Sequence, residues 1–198
     1  MPPQQLTVSL IGYRGSGKST IAPALADRLQ CDWVDADIEI EKRAGRTIQQ
    51  VFADGGETEF RQFERQLMQE LLSQSGLVIA AGGGAILNID TVAEMKSAGP
   101  VVLLNASVAE LARRISTDAT TGQRRPSLTG KPVEEEVAAV LEFRQPLYTA
   151  AATMVVETED QTTQQIVDQI CQQLGRDSAA NETNGPNSKP DAGGDACI

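Results

Sequence analysis

The sequence contains no histidine. Any general acid or base must therefore be a carboxylate, a lysine or a water, and a histidine-ligated metal is excluded. Cysteine is scarce: Cys31, Cys171 and Cys197 are odd in number and far apart in 198 residues. That pattern supports neither a disulfide framework nor a zinc site, and it fits reduced thiols in a cytoplasmic protein. Cys171 shares an apolar helix face with Ile166, Val167, Ile170 and Leu174, which makes it a packing residue. Basic charge is in deficit, with 17 Lys and Arg against 27 Asp and Glu and a net charge of −10. No basic surface is offered to nucleic acid or to an anionic membrane. No apolar run approaches transmembrane length, and Met1–Gln5 is too short and polar for a secretory leader. The expectation is a cytoplasmic monomer working on small molecules. At 40% apolar content the chain can still build a real core.

One stretch organises the rest. Gly12-Tyr13-Arg14-Gly15-Ser16-Gly17-Lys18-Ser19-Thr20 fits the GxxxxGK[ST] pattern. The apolar run Leu6–Ile11 before it reads as a buried strand, and Ile21, Leu25 and Leu29 after it recur at helical spacing. A glycine-rich turn between a strand and a helix is the setting of a P-loop. Its glycines let backbone N–H groups converge on a phosphate, at a helix N-terminus whose dipole also favours anions. Lys18 would reach the β- and γ-phosphates of a nucleotide, and the Ser19 hydroxyl would ligate Mg²⁺.

Further along, Cys31–Asp35 is a short second strand delivering Asp35 and Asp37 to the edge where ligands bind in open α/β sheets. Two carboxylates there can serve Mg²⁺ and a substrate hydroxyl, or simply an Asp-rich turn and helix cap. Pro23 predicts a kink in the first helix. Ile38–Ala44 is helical and stops at Gly45, Thr47 and Gln50 have capping-box spacing, and Asp54-Gly55-Gly56 is a turn. A longer helix follows over about 57–73. On it, Arg61 and Glu64 are three apart, by themselves no more than a weak surface pair. Leu77–Ala81 is an unbroken apolar strand running into Gly82-Gly83-Gly84, which permits close approach to a ligand or only a flexible turn. A helix over Thr91–Ala98 and a strand over Val101–Leu104 come next. Ser107 and Glu110 then form a capping box for a helix ending near Arg114.

Residues 116–132 lose apolar periodicity and carry Arg124 and Arg125 among glycines and prolines, as expected of a lid that neutralises a phosphoryl group. Val133–Arg144 is helical and gives way to Gln145-Pro146, Met154–Val156 is a fifth strand, and Thr162–Leu174 a last capped helix. The division is a P-loop domain over 1–175 and a disordered tail over 176–198, whose composition is too polar to offset ordering entropy. The fold class is α/β: a three-layer α/β/α P-loop domain of the nucleoside-monophosphate-kinase type with a five-stranded parallel sheet.

The ordered set of motifs resembles the shikimate kinase family. It comprises Gly12–Thr20, Asp35-Ala36-Asp37, Gly45, Gly56-Glu57-Thr58-Glu59-Phe60-Arg61 with Glu64, Gly82-Gly83-Gly84, Arg125-Pro126-Ser127-Leu128 and Arg144-Gln145-Pro146-Leu147-Tyr148. The resemblance implies transfer of the ATP γ-phosphoryl group to the 3-hydroxyl of shikimate. It implies shikimate binding by Asp37, Arg61, Gly82, Gly83, Gly84 and Arg144, with Glu64 orienting Arg61 and with Phe52 and Phe60 as the apolar wall. Gly12, Tyr13, Arg14, Gly15, Ser16, Gly17, Lys18, Ser19 and Thr20 would hold the nucleotide, and Arg114 or Arg113 would lie over adenine. Ser19 and Asp35 would serve Mg²⁺. Lys18, Asp37 and Arg125 would carry the chemistry, Arg125 by swinging in on the lid. Asp37 is the candidate acceptor of the hydroxyl proton, or the group that orients it. No guanine-reading Asn-Lys-x-Asp stretch occurs, against a P-loop GTPase.

Overall fold

Short, mostly apolar runs become the central strands, and helices connect them along the chain. The computed structural model describes residues 6–117 and 132–175. Strand β1 is Val8–Ile11, β2 Asp32–Asp35, β3 Leu77–Ala80, β4 Val101–Asn105 and β5 Met154–Glu157. Between them lie helices α1 (Lys18–Leu29), α2 (Ala36–Ala44), α3 (Ile48–Leu72), α4 (Ile89–Ala98), α5 (Val108–Thr117) and α6 (Val133–Ala151); α7 (Thr163–Gln173) comes last. The sheet is parallel throughout, in the order β2-β3-β1-β4-β5. Strand β1 thus lies at the centre, between β3 and β4, and the crevice outside the carboxyl ends of the strands is where such sheets bind ligands.

Alternation along the central strands supplies both faces. Leu10, Val78, Val102 and Leu104 pack with Ile21 and Leu25 of α1 and with Ile166, Val167 and Ile170 of α7. Ile11, Ile79, Val101 and Leu103 face the other way, into a core shared with Val51, Phe60, Leu67 and Met68 of α3 and with Met95, Leu111 and Val137. A strand buried on both faces needs such a continuous apolar run. Cys171 is buried in the first of these cores, as its helix face implied. Among the described residues no helix is long and apolar enough to cross a membrane.

Several elements depart from expectation, each for a physical reason. Helix α6 does not end at Arg144 but runs through Pro146 to Ala151, because Tyr148 and Ala151 extend its buried face and packing outweighs the lost backbone donor. The turn expected over Asp54-Gly55-Gly56 is a break confined to Gly56, with helix on both sides. At φ 69° and ψ −168°, that backbone state is in practice restricted to glycine. Helix α4 begins two residues early, capped by the Asn88 side chain on Thr91 N. The box expected at Ser107 is half made. Ser107 Oγ accepts from Glu110 N, but the Glu110 carboxylate turns to Arg113 and Arg114, and Ser107 N donates to Glu159. Helix α5 extends through Thr117, so the start of the expected lid is helical. The rest of that segment, 118–131 with Arg125, and the tail after Gly175 lie outside the described residues.

Candidate active site

The loop after β1 is shaped by contacts that only glycine permits at its first position. Gly12 has φ 141°, and a Cβ there would lie 2.5 Å from Leu104 O and 2.9 Å from Ser16 Oγ. Gly17 closes the loop ahead of α1, with Thr20 N and Ile21 N donating to its carbonyl at 3.0 and 2.9 Å. The loop is drawn in around Lys18, whose Nζ donates to Gly12 O at 2.8 Å, Tyr13 O at 2.9 Å and Ser16 Oγ at 3.3 Å. Above it opens a cavity of about 590 Å³, lined by Arg14 to Ile21, Asp35, Asp37, Gly83, Arg113, Arg114, Thr158 and Gln161 among others. That space, at a helix N-terminus carrying an ammonium, suits a nucleotide's phosphates.

Tyr13 contributes only its carbonyl to the loop. Its ring is buried in the core, and burial pushes its phenol up from the ordinary tyrosine value, opposed by the neighbouring Arg14. Arg14 is itself paired with Glu136, a carboxylate only 1% exposed in the first turn of α6. Sequence reasoning missed this partner, because an acidic residue in a first helical turn reads as a dipole effect and not as the far end of a long-range pair.

Asp35 caps a helix with one oxygen and meets Ser19 with the other. Its Oδ1 caps α2, accepting from Asp37 N at 3.0 Å and Ile38 N at 3.2 Å, while Oδ2 accepts the Ser19 hydroxyl. The two oxygen groups, one charged and mostly buried, are hard donors of the kind magnesium uses when substrate phosphates complete its shell. Asp37, in the first turn of α2, lines the same cavity.

A second group of side chains meets the glycines after β3. None of Gly82, Gly83 and Gly84 takes a left-handed conformation; at Gly84 what matters is space. Arg61 packs so closely on Gly84 that a Cβ there would collide with its guanidinium. Arg144 Nη1 donates to Gly83 O at 3.2 Å, and the buried Tyr148 hydroxyl donates to the same carbonyl at 2.5 Å. Gly82 instead starts a 3₁₀ turn, accepting from Ala85 N at 3.0 Å. The guanidinium of Arg61 is braced by Glu64 Oε2 at 2.5 Å and by Glu57 Oε1 at 3.0 Å. Its orientation by Glu64 was legible in sequence; the brace by Glu57 was not. Phe60 carries Arg61 over its ring at 5.3 Å and stacks on Phe52 at 4.9 Å between centroids. Phe60 is 1% exposed, and truncating such a side chain costs about 3–5 kcal/mol, so this corner is firmly seated. Arg61 lines an open depression along α3 and not the main cavity; Arg144 bonds Gly83, which lines the cavity, and Arg61 packs on the next residue, Gly84.

At the opposite end, Arg114 ties three elements together. It donates to Gly15 O at 3.4 Å, to Thr158 Oγ1 and O at 3.0 and 2.8 Å, and to Glu110 at 2.6 Å. Arg113 and Arg114 together hold the Glu110 carboxyl down to about 2. Both arginines line the cavity, with Thr158 and Gln161 beside them.

Residues 14–175 match the family model described as Shikimate kinase. A shikimate kinase of Thermobifida fusca is 40% identical over 165 residues, covering 83% of this chain and 92% of its own length. Among solved structures, a shikimate kinase from Acinetobacter baumannii in complex with shikimate superposes with a TM-score of 0.80 at 33% identity. The match covers 86% of this chain and 93% of that one. A shikimate kinase from Bacteroides thetaiotaomicron gives 0.78 at 32% identity, over 86% and 98% of the two chains.

Proposed function

The chain belongs to the shikimate kinase family and is an ATP-dependent shikimate kinase, and on that premise we propose how its own residues carry the reaction. The observation that carries the assignment of roles is the convergence of Arg61 and Arg144 on the adjacent glycines Gly84 and Gly83, at the margin of a cavity floored by a P-loop. Two planar forks at one place suit a carboxylate, which each can bind in bidentate fashion.

In this reading the backbone of Gly12–Thr20 and Lys18 hold the phosphates of ATP, with Arg114 or Arg113 against adenine. Ser19 and Asp35 would hold magnesium, which would supply positive charge against the phosphates. Arg61 and Arg144 grip the shikimate carboxylate, Glu64 keeps Arg61 in register, and Phe52 and Phe60 cover the apolar side of the ring. Asp37 and the backbone at Gly82–Gly84 bind ring hydroxyls. The 3-hydroxyl oxygen attacks the γ-phosphorus in line as the bond to the bridging oxygen of ADP breaks. Asp37 orients that hydroxyl and stands as acceptor of its proton, a task no histidine can take here. Arg125 supplies charge to the departing phosphoryl group; it enters by motif position, outside the described residues. Such catalysis rests on positioning and electrostatics. The enzyme would act as a cytoplasmic monomer with no nucleic-acid or membrane partner, a reading supported by its net charge of −10 and by Cys171 serving as core packing.

The test is a coupled assay of ADP release across shikimate, quinate, gluconate and nucleoside monophosphates. Turnover should be confined to shikimate or strongly favour it. A folded sample that ignores shikimate and turns over gluconate or a nucleotide would overturn the reading.

A further inference from the structure

Helix α3 is two rods joined at Gly56, and the apolar wall is divided between them, with the Arg61 clamp on the second. Phe52 precedes the break, whereas Phe60 and Arg61 follow it. A single glycine with φ 69° is a permissive joint, so the angle between the rods must be fixed by contacts across it. One is the Phe52–Phe60 stack. The other is made by Arg46, which lies between the end of α2 and the start of α3. Its Nη1 bonds the carboxylate of Asp54, on the first rod, and its Nη2 bonds Glu59 Oε1 at 2.6 Å, on the second. One planar guanidinium thus takes one carboxylate from each side of the break. Glu59 is further confined, because it packs directly over Gly55, where a Cβ would collide with its carboxylate. The second rod is anchored independently: Arg65 pairs with Glu94 of α4, and Arg43 pairs with Glu70.

We propose that Arg46 is a positioning residue for shikimate binding: by clasping Asp54 and Glu59 across Gly56, it sets Phe52 at its distance from Arg61. This rests on the reading of Arg61 as a carboxylate ligand given above. An ordinary surface ion pair of this exposure would contribute little and would affect only stability. A clasp that sets geometry acts on substrate affinity, because small misplacements of binding groups are costly.

The experiment is steady-state kinetics with both substrates varied, together with thermal melts, on wild type, Arg46→Ala, Arg46→Lys, Glu59→Gln and the double variant Arg46→Ala/Glu59→Gln. Arg46→Ala should raise the shikimate KM about five- to tenfold and leave kcat and the ATP KM within about twofold. Lysine should rescue little, since a point charge cannot fork to both carboxylates. The double variant should be no worse than Arg46→Ala, as expected for partners in one contact. An unchanged shikimate KM, full rescue by lysine, or an equal fall in all parameters would each overturn the proposal. If Arg46→Ala does not fold, Glu59→Gln carries the same comparison. Failure of the wild type to phosphorylate shikimate would instead overturn the functional reading, so the two failures are distinguishable.

Discussion

The Tyr148 hydroxyl donates to the carbonyl of Gly83 at 2.5 Å, across 65 positions of sequence and in a fully buried setting. The same carbonyl takes Arg144. Tyr148 therefore fixes the glycine strip against which Arg144 is held. Tyr148→Phe keeps the ring's packing and removes one bond to a buried acceptor. It should cost about 1 kcal/mol in stability and raise the shikimate KM more than the ATP KM. Urea titrations and kinetics check both; equal effects on the two substrates would mean that Gly83 is not a substrate-side element.

Arg144 and Arg125 should separate into binding and chemistry. Interactions made in both ground and transition state affect KM, and those made only in the transition state affect kcat. Arg144→Ala should raise the shikimate KM, by an amount equivalent to about 2–3 kcal/mol for a lost charged hydrogen bond. Arg125→Ala should lower kcat, by up to about 10³-fold if it acts as an arginine finger. The reverse pattern would exchange their roles.

Asp35 offers a cleaner separation, since one oxygen caps a helix and the other faces Ser19. Asparagine caps as well as aspartate but carries no charge. Asp35→Asn should keep the melting temperature and demand more magnesium for half-maximal rate. Asp35→Ala should show the same metal defect and lose about 1 kcal/mol besides. A normal magnesium titration for Asp35→Asn would remove Asp35 from the metal site.

Acid should act first on the surface carboxylates. Glu110 is held down to about 2 by Arg113 and Arg114, and Arg43 and Arg65 hold Glu39 and Glu94 below the ordinary carboxylate value. The unfolded chain therefore binds these protons first. Stability from these groups is complete above about pH 4.5 and drains away as pH falls from there, for Glu110 through about 2. Urea midpoints from pH 6 downward should decline accordingly, less steeply in Glu110→Gln and less steeply in about 1 M salt. An identical slope in Glu110→Gln would discount the cluster.

Residues beyond Gly175 are rich in Asn, Gly, Ser, Ala and Asp, with almost nothing apolar. Deleting Asp177–Ile198 should leave kcat and melting temperature unchanged. A large loss of either would show that this stretch docks on the rest.

What the sequence made legible was local. The strands at Leu10, Val78 and Val102 could be read as unbroken apolar runs, and the P-loop from glycine spacing ahead of a helix. Glu64 beside Arg61 followed from a three-residue step on one helix face. What escaped was long-range or doubly used. Tyr148 meets Gly83, and Glu136 meets Arg14, across distances that no periodicity marks. Pro146 looked like a stop because its own chemistry is local, while the burial that carries α6 past it is tertiary. Asp35 could be read as cap or as ligand; that one oxygen caps the helix while the other faces Ser19 depends on which way each points.

The Arg14–Glu136 pair also constrains how this sequence can change. Both side chains are largely withdrawn from water, so losing either strips the other buried charge of this ion pair, at about 3–5 kcal/mol. Replacing both with apolar residues of similar volume is far less damaging. The second residue of the P-loop's variable stretch and the first turn of α6 are thus not independent characters. A lineage can cross from a charged to an uncharged junction only through an intermediate stable enough to survive the first step, or by changing both positions together.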